Sequence, residues 1–64
     1  MRVNGKPYPY REGLTLYELL AELSIDRRTV AVMHGEAVYS AGGIPDAPLD
    51  EPDVLEIVTM MQGG

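Results

Sequence analysis

The first ten residues have the period-two alternation of a strand and contain a turn signal. Asn4 and Gly5 form the strongest short signal for a hairpin turn, because both positions accept a positive φ. The two prolines that follow stand at alternate positions, so their missing N–H groups fall on one side of the return strand. We therefore predict an edge strand in which Tyr8 and Tyr10 pair with the first strand and the prolines face water.

Residues 14–24 have the helical period. Thr15 is a favourable N-cap, and Glu18 three residues later completes a capping box. Leu14 and Leu19 have the spacing of a hydrophobic staple. Four leucines share one face of the predicted helix: Leu16, Leu19, Leu20 and Leu23.

Two later runs are apolar on both alternating faces. Residues 29–33 form a β-branched-rich strand, which a turn at His34-Gly35 connects to a short strand at 36–39. Alternation alone leaves open which set of 29–33 faces the core. In the last run, residues 53–60, the two apolar sets are Leu55 with Ile57 and Val54 with Val58 and Met60.

Residues 40–52 are rich in glycine, proline and acidic residues, which is typical of a surface crossing, and we expect Ile44 and Leu49 to pin it against the core. One helix can cover only one face of the sheet, so the predicted fold is an α+β roll with an uncovered face. The doubly apolar strands make that face hydrophobic, which is typical of a docking surface.

Composition excludes several classes of protein. A chain of 64 residues forms one small domain, with no room for both a core and a deep catalytic cleft. Its net charge of −5 provides no basic stripe for nucleic acid. It has no cysteine for disulfides or thiolate metal sites, and no apolar run long enough for a membrane span or a signal segment. We therefore expect a cytoplasmic protein.

The last four residues differ in character from the predicted domain of residues 1–60. We expect Met61, Gln62, Gly63 and Gly64 to form a flexible tail, although a frayed end without a function has the same composition. Glycine has no Cβ, so Gly63-Gly64 can thread through a slot that excludes other dipeptides. The Gly64 α-carboxylate, with an ordinary pKa of about 3.3–3.7, is ionised and unhindered. It can attack an activated phosphate and become an acyl donor.

The chain resembles the ubiquitin-like β-grasp sulfur carriers, and within them most closely the ThiS branch of thiamin thiazole biosynthesis. The similarity lies in Val3-Asn4-Gly5, Leu14-Thr15-Leu16, Glu18-Leu19-Leu20, Val30-Ala31-Val32, Asp53-Val54-Leu55-Glu56-Ile57-Val58 and Gly63-Gly64. His34 and Pro52 depart from the family pattern, which commonly has Asn and Gly there. The resemblance implies a mixed sheet of four to five strands with one main helix on one face.

The resemblance also implies a mechanism. A ubiquitin-activating-type adenylyltransferase would adenylate Gly64 with its own ATP and magnesium, and a persulfide on that enzyme or on a desulfurase would supply sulfur for a thiocarboxylate. A thiazole synthase would receive that sulfur. The carrier itself would catalyse nothing and bind no cofactor. The tail would thread into the partner enzymes, while Val54, Val58 and Met60 would contact their surfaces.

Other interpretations remain open at this stage. Sulfur could go instead to molybdopterin or to tRNA thiolation, the chain could be a modifier that is conjugated to lysine, or it could be an inert interaction module. His34 is expected to be a simple turn or strand-end residue rather than a metal ligand. The acidic residues of the crossing are expected to be solvated rather than to bind calcium, because they lack the calcium-loop spacing.

Overall fold

The computed structural model describes residues 1–60, which form five short strands and one helix. In chain order these elements are β1 (Arg2–Val3), β2 (Lys6–Pro7), α1 (Leu16–Glu22), β3 (Val30–His34), β4 (Ala37–Tyr39) and β5 (Val54–Thr59). The order in the sheet is β2-β1-β5-β3-β4. Strand β5 is central, parallel to β1 and antiparallel to β3. This confirms the expected β-grasp roll with a mixed sheet and one helix.

The first hairpin turns where the sequence predicts. Asn4 and Gly5 have φ of 54° and 81°, the left-handed pair that a tight hairpin requires. Strand β2 lies at the edge of the sheet, and the Tyr8 N–H donates to the Met1 carbonyl over 2.9 Å. The prediction that Tyr10 pairs with the first strand is wrong. The register places Tyr8 opposite Met1, so Tyr10 lies beyond β1, and its hydroxyl donates instead to the Leu49 carbonyl.

The helix begins at the predicted cap. The Glu18 N–H donates to Thr15 Oγ1 over 3.4 Å, and the Thr15 N–H donates to Glu18 Oε1 over 3.2 Å, so both halves of the capping box form. Helix α1 ends at Glu22, and Ser24 follows in the left-handed region with φ of 59°. Within residues 1–60, no helix is long and apolar enough to cross a membrane.

The core lies between α1, the crossing and the inner face of the sheet. Its buried side chains are Val3, Leu14, Leu16, Leu19, Leu20, Val30, Val32, Ile44, Leu49 and Leu55. Ile44 and Leu49 therefore pin the crossing, as expected. Backbone hydrogen bonds reinforce this packing, because the Leu49 N–H donates to the Leu14 carbonyl and the Leu16 N–H to the Ala47 carbonyl.

Strand β3 directs Val30 and Val32 inward, which settles the question that alternation left open. The β3–β4 turn lies one residue later than predicted. His34 pairs with Ala37 as the last residue of β3, and the turn consists of Gly35 and Glu36. Gly35 has φ of 62°, a conformation that glycine adopts without strain, so the turn is centred after His34 rather than on it.

Candidate partner-docking face

The outer side of the sheet carries an apolar surface that the helix does not cover. Alternation along β5 buries Leu55 and turns Val54 and Val58 outward, with 51% and 42% of their surfaces exposed. Met60, just beyond the strand, is 45% exposed. The three residues that sequence analysis proposed for partner binding therefore lie on the same exposed face.

Neighbouring strands extend this surface. Ala31 of β3 pairs with Val58, and Met33 pairs with Glu56 on one side and with Val38 on the other. Cross-strand partners point to the same side of a sheet, so these residues share the outer side with β5. We call this surface the open face and define it by Ala31, Met33, Val38, Val54, Glu56, Val58 and Met60.

The exposed hydrophobic side chains are clustered on one face of the sheet. The large hydrophobic side chains exposed among residues 1–60 are Met33, Val38, Val54, Val58 and Met60, and all five belong to the open face. Single exposed apolar side chains are common on soluble proteins, but a contiguous group is typical of a docking surface. Four of the five lie on or just beyond β3 and β5, the two strands whose alternating sets are both apolar.

The backbone fixes where the chain leaves the open face. The Met60 N–H donates to the Thr29 carbonyl over 2.7 Å, which extends the β5 hydrogen bonding one residue past the strand. The chain is thus held to the sheet up to residue 60, at the end of β5 next to the start of β3. Met61, Gln62, Gly63 and Gly64 lie outside the described residues, and so do the predictions made for them.

At its other end, β5 begins beside a polar contact. His34 Nε2 lies 2.8 Å from Asp53 Oδ2, and the same oxygen accepts from the Asp50 N–H over 2.8 Å. His34 is thus a strand-end residue that contacts the turn before β5. The sequence alone does not reveal this contact, because His34 and Asp53 are 19 positions apart in the chain. The β3–β5 register, which pairs His34 with Leu55, is the signal that places them together.

The acidic residues of the crossing have separate roles. Asp46 Oδ1 accepts a hydrogen bond from the Tyr17 N–H over 2.9 Å, which gives the first turn of α1 a second cap. Asp50 and Glu51 are exposed on the turn before β5. Within residues 1–60, no group of three or more His, Asp or Glu side chains could hold a metal ion.

A charged network lies between β2 and α1. The Tyr8 hydroxyl donates to Glu22 Oε1 over 2.6 Å, and Arg11 pairs with the other oxygen of that carboxylate. Arg11 and then Tyr8 lower the pKa of Glu22, while the hydrogen bond to Glu22 raises the pKa of Tyr8. These contacts fasten the edge hairpin to the helix, on the covered side of the sheet.

One residue of the open face was not singled out from the sequence. Glu56 is exposed on β5 between Val54 and Val58 and opposite Met33. The period-two pattern contains the signal for it, because Glu56 is in phase with the two valines. It is the one charged side chain among the residues that define the open face.

Comparison with known proteins identifies the family of this chain. The chain matches the model of the ThiS family over residues 1–64. It is 44% identical over 62 residues to a sulfur carrier protein ThiS of Thermus thermophilus, covering 97% of this chain and 95% of that protein. It is also 36% identical over 64 residues to a thiazole synthase of Magnetococcus marinus, covering all of this chain but only 20% of that protein. The chain belongs to the ThiS family.

Proposed function

We propose that this chain is a sulfur carrier protein that supplies sulfur for the thiazole ring of thiamin and catalyses no reaction itself. The observation that carries the proposal is the family match over the whole chain, together with the likeness to a named sulfur carrier of nearly the same length. The likeness to part of a thiazole synthase supports that enzyme as the recipient of the sulfur. We also propose that the protein acts in the cytoplasm.

The proposed chemistry takes place at the Gly64 α-carboxylate. One of its oxygens attacks the α-phosphate of ATP in an adenylyltransferase, and pyrophosphate leaves. The terminal sulfur of a persulfide then attacks the acyl carbon and AMP leaves. A second thiol cleaves the resulting S–S bond, which leaves the thiocarboxylate. ATP and magnesium belong to the adenylyltransferase, and the carrier provides only the reacting carboxylate.

The described fold supports a carrier that presents a carboxylate to an enzyme that activates it. Strand β5 is held on both sides by other strands, and the Met60 N–H donates to the Thr29 carbonyl just before β3, so the segment that precedes residues 61–64 is fixed. Four extended residues span at most about 14 Å. We infer that Met61, Gln62 and Gly63 pass through the entrance channel of the partner enzyme, which brings Gly64 to its reacting groups.

The open face gives the partner a surface to hold while the tail is inside. Val54, Val58 and Met60 lie along the strand that leads to the tail, so docking there sets the direction in which the tail leaves. Burial of exposed apolar surface contributes roughly 25 cal/mol per Å² to binding before its costs are subtracted. We propose that the adenylyltransferase and the thiazole synthase use this face in turn.

Intact mass spectrometry tests the proposal. The purified chain is incubated with the adenylyltransferase of the same organism, ATP, magnesium and a persulfide donor. We expect a mass increase equal to the replacement of one oxygen by sulfur, and its loss when thiazole synthase and its other substrates are added. Conjugates to other proteins would indicate a modifier instead. Loss of the added mass only with a molybdopterin or tRNA-thiolating enzyme would contradict the thiazole assignment.

A further inference from the structure

Glu56 is the one carboxylate on the open face. It has Val54 and Val58 on either side along β5 and Met33 opposite on β3. We propose that Glu56 forms an ion pair with an arginine of the thiazole synthase, at the centre of an otherwise apolar docking interface. The inference rests on the proposed function, from which it takes the identity of the partner enzyme.

The free chain leaves this carboxylate to water. Within residues 1–60, no side chain donates a hydrogen bond to Glu56 or forms an ion pair with it. Docking on the flanking valines would remove that water. A carboxylate that loses its hydration without gaining a donor opposes binding more strongly than neighbouring methyl groups favour it. A partner that covers the open face must therefore bring a donor to this position.

The chain's own cations are committed elsewhere. Arg2 is the nearest along the sheet, because it pairs with Val54 in the parallel register, but its guanidinium donates to the Gly5 carbonyl. Arg11 pairs with Glu22, Arg28 pairs with Asp26, and Arg27 lies over the ring of Tyr17. Lys6 pairs with the inward-facing Val3 on the edge strand β2, so it lies on the other side of the sheet from Glu56. The positive charge that meets Glu56 therefore comes from the partner.

An arginine fits this position better than a lysine. A guanidinium is less strongly hydrated than an ammonium and offers paired donors to both carboxylate oxygens. Its flat faces also tolerate contact with apolar groups such as Met33 and the flanking valines. Arginine is enriched at the buried centres of protein interfaces, whereas lysine is depleted there.

The test compares two charge-neutralising variants in binding to purified thiazole synthase of the same organism, measured by isothermal titration calorimetry. Glu56→Gln keeps the shape of the side chain and removes its charge. Glu12→Gln removes the same charge at an exposed position between β2 and α1 and serves as the control. We expect Glu56→Gln to raise the Kd by about 30-fold or more. Glu12→Gln should change it by less than about threefold, as for a peripheral charge.

The direction in which Glu56→Gln changes the Kd decides whether the inference holds. If no cation faces Glu56, removal of its charge relieves desolvation, and Glu56→Gln binds as tightly as the parent or more tightly, which overturns the inference alone. If the parent chain does not bind the synthase at all, the proposed function fails together with it. Glu56 makes no side-chain hydrogen bond or ion pair within the described residues, so we expect the variant to keep the parent's Tm. A second variant, Glu56→Lys, should bind still more weakly through repulsion between like charges.

Discussion

At the scale of single residues, substitutions on the open face test the proposed docking without changing a core residue. Val58 is 42% exposed and contributes little to the core, yet it occupies the middle of the proposed docking surface. We expect Val58→Asp to keep the fold but to lower the Tm by several degrees, because aspartate is unfavourable in a strand. It should weaken binding to the adenylyltransferase by at least about tenfold, because a carboxylate would be buried against an apolar partner. Calorimetric titration of the enzyme measures the effect.

The matched control is Ala41→Asp, which adds the same charge at an exposed loop position outside the open face. It should bind as the parent does, apart from a small change caused by net charge. Equal losses in the two variants would mean that charge, not the position of Val58, governs docking.

A second residue-scale prediction concerns Gly5. Its φ of 81° lies in the left-handed region, and a Cβ built there meets no atom within 4 Å, so alanine would add backbone strain without a clash. We expect Gly5→Ala to lower the free energy of unfolding by roughly 1 kcal/mol, which is the left-handed penalty less the entropy gained from a stiffer unfolded chain. Urea titration measures this change.

Gly43→Ala is the control for Gly5→Ala. Gly43 lacks a positive φ, and its Cβ would lie 3.6 Å from the Ser40 carbonyl oxygen, an ordinary contact. It should be neutral or slightly stabilising. A loss of stability as large as that of Gly5→Ala would show that a methyl group, rather than the turn conformation, is responsible.

At the scale of elements, local signals in the sequence predicted more than distant ones. The Asn4-Gly5 turn and the Thr15–Glu18 capping box each depend on residues within one turn of each other, so the sequence alone was sufficient to place them. The second helix cap from Asp46 depends on a residue 29 positions from Tyr17. A contact of that kind requires knowledge of how the crossing packs.

The strands also depend on contacts between distant residues, which the sequence alone could not predict. Both alternating sets of residues 29–33 are apolar, so the pattern predicted a strand but not its inward side. The β3–β5 register settled this by pairing Val32 with Ile57 on the covered face. The same register placed Glu56 beside Met33. The apolar part of the candidate site was therefore predictable, and so was the phase of Glu56 with Val54 and Val58, but its position opposite Met33 required the paired strands.

The loop between α1 and β3 is expected to be sensitive to acid. The Arg28 side chain and backbone N–H both donate to Asp26 and hold the pKa of its carboxylate at about 2, below the ordinary value of 3.8. A depressed pKa adds stability above pH 3.8, and that stability is lost as the pH falls through 2. Asp26→Asn should therefore be less stable than the parent at pH 7 by a small margin, because the pair is exposed.

Urea midpoints at intervals from pH 7 to pH 2 test this prediction. The difference between Asp26→Asn and the parent should be constant down to about pH 4 and should shrink below it. A difference that stays constant to pH 2 would show that the carboxylate charge does not stabilise the loop.

At the scale of the whole molecule, the proposed reacting group lies several residues beyond the last described core residue in the sequence. Leu55 is the last buried core residue among residues 1–60, nine positions before Gly64, where we propose that the chemistry takes place. A change at Gly64 should therefore alter reactivity without altering stability. We expect Gly64→Ala to keep the parent's Tm and to lose adenylation by about 10²-fold, because a Cβ beside the reacting carbon displaces it from its position in the partner enzyme.

ATP–pyrophosphate exchange measured with the adenylyltransferase gives the rate for each variant. Gly43→Ala is a suitable control, since it makes the same chemical change in the crossing, outside both the open face and the tail. Weak docking and poor threading are distinguished by measuring the exchange rate at saturating carrier concentration. Val58→Asp should then reach the exchange rate of the parent, whereas Gly64→Ala should not. Full activity of Gly64→Ala at saturation would show that a narrow channel does not select glycine at the reacting position.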